Sequence, residues 1–161
     1  ARTTSEVKKM IHEKILKLNG RQVKDYRQSI LLFNLFEADK VYVLSLLHTG
    51  KFFLEEAKDK SQRLCKVMNK KLVKNNQIQL NLHDGSNVLS KDKIAVGDSI
   101  YLDIEGKIKK HVPLEKGKEV TIIEGKYTGL KGRIESMKEN YVTIKLKDKS
   151  TTINKRQVIV Q

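Results

Sequence analysis

Short runs of alternating apolar and polar residues, each closed by a turn signal, fill most of this chain. That period of two predicts strands. Only the opening differs. In TTSEVKKMIHEKI, residues 3–15, Val7, Met10, Ile11 and Ile15 recur at helical spacing, and Thr3 with Glu6 fits a capping box. KILKLNGRQV follows, where Asn19-Gly20 between short runs predicts a tight hairpin. SILLFNLFEAD, residues 29–39, is a longer apolar run and reads as mostly extended.

From Lys40 onward strands and turns repeat. VYVLSLLHTGKFFLEE gives two strands around Thr49-Gly50, and KVMNKKLV and QIQLNLHDGSNVL continue as strands with a turn at Asp84-Gly85. SIYLDIEGKIKKHV is a further hairpin around Glu105-Gly106. EEAKDKSQ, between these runs, is the candidate for a second short helix. The single proline, Pro113, interrupts sheet pairing and marks a module boundary at about residue 114. Beyond it EVTIIEG, RIESM, NYVTIKL and QVIV read as strands. The pattern predicts an α+β chain, mainly β, in three units. These are a helix-hairpin module over 1–39, a β-barrel-like central domain over 40–113 and a small barrel over 114–161, closure being the usual way to remove exposed edges.

Charge narrows the function. Against 19 acidic residues stand 33 Lys and Arg, a formal net charge of +14. So basic a surface attracts phosphate, on nucleic acid or on anionic lipid. The lysines are spread over all three units, which argues for an extended basic surface rather than a basic tail. No apolar stretch approaches the roughly 20 residues needed to span a membrane. The lone Cys65 excludes an internal disulfide and suits a reducing cytosol. Ala1 stands where an initiator Met is expected.

The stretch GKYTGLKGRI, residues 125–134, could cradle a nucleotide or lie along a polyanion. A P-loop requires a second glycine where this sequence has Leu130. A dinucleotide fingerprint requires another spacing and a following helix. Gly129 to Gly132 does satisfy G-x-x-G, but the flanks are β-rich where the RNA-binding module with that loop has helices. His12, His48, His83 and His111 are scattered, and one cysteine makes no C-x-x-C pair, so neither metal nor cofactor is expected. His83-Asp84 could be an acid-base pair, yet Asp84-Gly85 is explained by turn chemistry. No catalytic constellation emerges, and the chain is not expected to be an enzyme or to take a small-molecule substrate.

Read as one unit, KGKEVTIIEGKYTGLKGRIESM resembles the KOW motif of ribosomal and transcription-associated proteins. Gly117, Val120, Ile122, Gly125, Tyr127, Gly129, Gly132 and Ile134 occupy its positions. VKKMIHEKILKLNGRQVKD resembles the second half of a small RNA-binding module of many ribosomal proteins. The turn Leu18-Asn19-Gly20 and the basic residues Lys8, Lys9, Arg21 and Lys24 match it. That module's first helix has no counterpart in this sequence. The order of parts, with HTGKFFL, EEAKDKSQRLCKV, QLNLHDG and AVGDSIYLDIEGKI between the two motifs, resembles ribosomal protein family S4e of archaea and eukaryotes.

The resemblance implies a C-terminal SH3-like barrel and a non-enzymatic constituent of the small subunit of the cytoplasmic ribosome. Its partners would be ribosomal RNA and other small-subunit proteins, with no membrane. It implies RNA contacts at Lys8, Lys9, Arg21 and Lys24 and at Lys118, Lys126, Tyr127, Gly129, Lys131, Gly132 and Arg133. The alternative at this point is a KOW protein associated with transcription elongation.

Overall fold

The computed structural model describes residues 1–161. Its helix, α1 (Thr4–His12), starts where the sequence places it: Thr3 is extended and its hydroxyl accepts from the Glu6 amide at 3.2 Å. Glu6 completes only half of the expected capping box, since its carboxylate accepts from the Arg2 amide instead of that of Thr3. The helix is shorter than the apolar spacing suggests. Lys14 turns left-handed with φ 60°, which ends the helix and leaves Ile15 outside it and exposed.

Three antiparallel five-stranded sheets follow. The first contains β1 (Lys17–Leu18), β2 (Arg21–Gln22), β3 (Leu35–Glu37), β4 (Val41–Leu46) and β5 (Phe52–Glu56) in the order β2-β1-β3-β4-β5. Asn19 and Gly20, both at positive φ, make the expected hairpin turn between β1 and β2. Residue 40, the expected unit boundary, lies inside this sheet, because β3 and β4 pair across it. Of the run 29–39 only β3 is strand. Leu31 to Asn34 form a turn in which the Asn34 side chain accepts from the Leu31 amide at 3.0 Å.

The second sheet contains β6 (Gln62–Leu72), β7 (Ile78–Leu82), β8 (Asn87–Ser90), β9 (Ser99–Asp103) and β10 (Ile108–Val112), ordered β10-β9-β6-β7-β8. Its core is a cluster around Val67, Leu80, Ile94 and Ile100. Cys65 lies in that core, and burial pushes its thiol up to about 12, so it is chemically quiet. The expected helix in EEAKDKSQ does not form. Glu55 and Glu56 end β5, and Asp59 accepts from both the amide and the hydroxyl of Ser61, at 2.8 and 2.6 Å. That local Asx turn outcompetes a helical nucleus in so short a segment.

The third sheet contains β11 (Glu119–Ile122), β12 (Lys131–Met137), β13 (Tyr141–Lys145), β14 (Ser150–Asn154) and β15 (Val158–Val160), ordered β14-β13-β12-β11-β15. The sequence reading missed β14, whose STTIN stretch carries few strong hydrophobes. Val120, Ile122, Ile134, Val142 and Ile144 point into the largest core of the chain. Pro113 lies between β10 and β11.

Polar contacts lock the units together. Asp84 does cap its turn, accepting from the Ser86 amide at 3.0 Å. It also accepts from Asn34 of the first unit at 3.1 Å and pairs with the Arg63 guanidinium at 3.3 Å. His83 Nε2 bonds the Leu32 carbonyl at 2.7 Å, while its Nδ1 accepts from the Lys66 amide at 3.1 Å. Burial holds the His83 imidazole below its ordinary pKa, consistent with the neutral form this acceptor role requires. Lys66 is only 2% exposed, and its ammonium donates to the carbonyls of Lys155 at 2.6 Å, Arg156 at 3.0 Å and Val158. Two adjacent groups on the second sheet thus hold the first unit on one side and the third on the other.

Candidate nucleic-acid interface

The loop between β11 and β12 is a tight fold of backbone. The Gly129 amide donates to Ile122 O at 2.7 Å, and Thr128 bonds back to Gly125 O through both amide and hydroxyl. Gly125 and Gly129 take φ of 92° and 94°, which side-chain-bearing residues avoid. Gly129 has a second reason to lack a side chain. A Cβ there would lie 2.0 Å from Leu47 O in the β4–β5 turn, so the loop rests directly on the first sheet. A Cβ on Gly132 would meet Ile144 and the Lys145 carbonyl at 2.5 and 2.6 Å. Both glycines are therefore closed in by protein on the side a Cβ would occupy, and packing accounts for their identity.

The cations around this loop differ in how free they are. Lys126 and Lys131 are exposed and make no ion pair, whereas Arg133 pairs with Glu119 at 3.3 Å and Lys118 with Glu115 at 3.6 Å. Tyr127 packs partly on the third core. The Lys149 ammonium lies 4.4 Å from its ring centre and that of Lys126 5.7 Å away. Lys149 also donates to the phenol oxygen at 3.3 Å. That hydrogen bond, with the charges of Lys149 and Lys126, holds the phenol below its ordinary pKa. Lys149, beyond two further strands in sequence, was invisible to motif reasoning.

The first unit repeats the theme. Lys8 lies 4.7 Å over the Tyr26 ring and Arg27 lies 5.3 Å from it, donating to the phenol oxygen at 3.0 Å. Neither Tyr26 nor Arg27 has a motif around it, and the fold alone reveals the cluster. Lys9 makes one long, solvent-exposed ion pair with Glu13 at 3.8 Å, while Arg21 and Lys24 are exposed and unpaired by any carboxylate. The Asn19-Gly20 turn itself faces the second sheet: a Cβ on Gly20 would lie 2.2 Å from the Ile104 side chain. The two basic groups of residues stay on separate units, one at each end of the chain.

No group of three His, Cys, Asp or Glu side chains is arranged to hold a metal ion, and no helix is long and apolar enough to cross a membrane. A basic β protein of three linked sheets, with cations grouped around surface tyrosines, is the class this geometry defines. The family model described as ribosomal family S4e matches residues 38–108. Small ribosomal subunit protein eS4 of Methanocella arvoryzae is 34% identical, covering 86% of this chain and 61% of that protein. The eS4 protein of Archaeoglobus fulgidus is 31% identical, covering 99% of this chain and 72% of that protein. The crystal structure of 30S ribosomal protein S4e from Thermoplasma acidophilum superposes with a TM-score of 0.82 at 22% identity, over 97% of this chain and 84% of that one. The chain belongs to the ribosomal S4e family. It spans less than two thirds of the M. arvoryzae relative and somewhat more of the A. fulgidus one.

Proposed function

We infer that this protein is a structural constituent of the small ribosomal subunit, in the cytoplasmic ribosome, and binds ribosomal RNA there beside other small-subunit proteins. The observation that carries this is its similarity to small-subunit eS4 proteins along nearly the whole chain. The geometry supplies the means. Lys126, Lys131 and Arg133, with Lys118 and Lys149 nearby, present a cationic loop, and Lys8, Arg21, Lys24 and Arg27 give the first unit its own basic residues. Tyr127 acts as the post that spaces Lys126 and Lys149, and Gly129 and Gly132 let the loop seat on its own sheet and on the first unit. The role is binding and not catalysis. The relatives found are ribosomal, and nothing in the site favours the transcription-associated alternative.

Replacing Lys126, Lys131 and Arg133 together with Ala tests the reading against purified small-subunit ribosomal RNA. Affinity is expected to fall, and the slope of log affinity against log salt is expected to flatten by about 0.7–0.9 for each phosphate the variant no longer neutralises. Unchanged affinity and slope would remove the loop from the RNA-binding surface.

A further inference from the structure

The outward face of β6, β7 and β8 carries a row of amides that folding does not explain. Asn69 lies directly opposite Asn81, and Asn81 opposite Asn87, three asparagines abreast across three strands. In the next row on the same face Lys71 lies opposite Gln79 and Gln79 opposite Leu89. The other face of these strands, with Leu80, turns into the second core. Asparagine and glutamine contribute little to a solvent-facing sheet, where β-branched residues pair better, and asparagine is depleted from strands. The third sheet shows the ordinary solution, Thr143 bonded to Thr152 across β13 and β14 at 2.9 Å.

The amides are also poorly occupied. Asn69 Oδ1 accepts from the Lys70 amide at 2.8 Å and Asn81 Oδ1 from Gln79 at 3.2 Å. The Nδ2 groups of Asn69 and Asn81, and the whole Asn87 amide, find no protein partner. The surrounding charge has one sign. From Val67 to His83 there are three lysines and no Asp or Glu. Lys70, Lys71 and Lys74 are exposed beside the amides, and Asn75 and Asn76 at positive φ form the tip of the same hairpin.

We propose that this face is a second RNA-contact surface, on which Asn69, Asn81 and Asn87 hydrogen-bond unpaired bases while Lys71 and Lys74 hold the flanking phosphates. The proposal rests on the RNA-binding reading above. An amide matches adenine in particular, offering an acceptor and a donor to two atoms of one edge. Exposed base edges occur in RNA loops and bulges and not in the deep groove of an RNA duplex, so the occupant is a single-stranded segment. The three exposed lysines of the β6–β7 hairpin, with no acidic residue between them, favour this polyanion over a protein partner.

The test uses the full chain with Asn69, Asn81 and Asn87 replaced by Thr, a better strand former that keeps the fold. The probe is purified small-subunit ribosomal RNA, read by filter binding across salt and by dimethyl sulfate footprinting of adenines. The expected result is an affinity loss of about tenfold or more with the salt slope unchanged, since no charge is removed. A discrete set of unpaired adenines loses its protection, and the Lys126, Lys131 and Arg133 variant keeps that set protected. Asn87→Thr alone, a single exposed change on an end strand, should give part of the loss with the same salt slope if the triple variant melts early. Unaltered affinity and footprint in both variants overturn the proposal. If subunit incorporation nevertheless fails, the face belongs to a protein partner. Neither of these results touches the β11–β12 loop, whose own variant decides the broader reading.

Discussion

Lys66→Met keeps the aliphatic stem that fills the junction and removes the ammonium that joins the second and third sheets. Val158 O is deeply buried and loses its donor at a cost of about 1–3 kcal/mol, and the Lys155 and Arg156 carbonyls, nearer water, lose about 0.5–1.5 kcal/mol each. Against that, Met relieves a buried charge. Burial, opposed by Glu124, lowers the Lys66 pKa from 10.5 to about 8, a drop corresponding to about 3 kcal/mol. The net at neutral pH is a destabilisation of about 1 kcal/mol.

The pH dependence is more diagnostic. Below about pH 8 the ammonium is charged in both folded and unfolded chains, and its burial penalty is fully present. Between about 8 and 10.5 the unfolded chain still holds the proton that the folded protein has released, so the stability of the unmodified protein rises with pH. The variant does not share this gain, and the gap between them should widen by about 3 kcal/mol over that window. Urea unfolding of both proteins across this range measures it, and the difference cancels the groups they have in common. A gap that stays flat would mean that the three carbonyls hold the charge as well as water does, refuting the burial argument. Equal stability at every pH would mean that the clamp carries no load.

Gly129→Ala meets both a forbidden φ and the Leu47 carbonyl and should cost about 2–3 kcal/mol. Gly85→Ala has a similar φ but open space around it, and should cost about 1–2 kcal/mol; equal losses in denaturant would rule out tight seating of the loop on the first sheet. Asp84→Ala leaves the nearly buried Arg63 guanidinium unpaired and should cost about 3–5 kcal/mol. Burial pushes the Asp84 carboxyl up, but hydrogen bonds from Ser86 and the Arg63 charge outweigh it and hold it below the ordinary 3.8. Its stabilisation is therefore complete above that pH and fades as pH falls through the lower folded value. Acid unfolding should show the gap to Asp84→Ala closing only below about pH 4, and a gap that closes at higher pH would contradict the pairing.

Local signals were legible where one residue's own chemistry decides the outcome. Thr3 could be read as a cap because a hydroxyl before an apolar period has an orphan amide to satisfy. Asn19-Gly20 could be read as a turn because both residues tolerate positive φ. EEAKDKSQ was misread because its composition permits a helix, while the Asp59 side chain supplies a cheaper local bond. STTIN was missed because β14 is recruited by pairing with β13, a contact between strands and not a property of either. The KOW resemblance located the cationic loop, but it could not assign the glycines, since their constraint lies in Leu47, Ile144 and Lys145.

By itself the sequence determined the strand-rich class, the positive charge and the family likeness, since alternation, turn residues and ionisable groups act within a few positions of themselves. Only the tertiary structure decided that Lys66 is a buried clamp and not one more solvated lysine. It also decided that His83 and Asp84 bridge the first and second units, that Tyr26 and Tyr127 each gather two cations, and that three asparagines stand abreast. These properties depend on groups brought together from distant parts of the chain. Desolvation, register and shared hydrogen bonds come into being only when the sheets have packed.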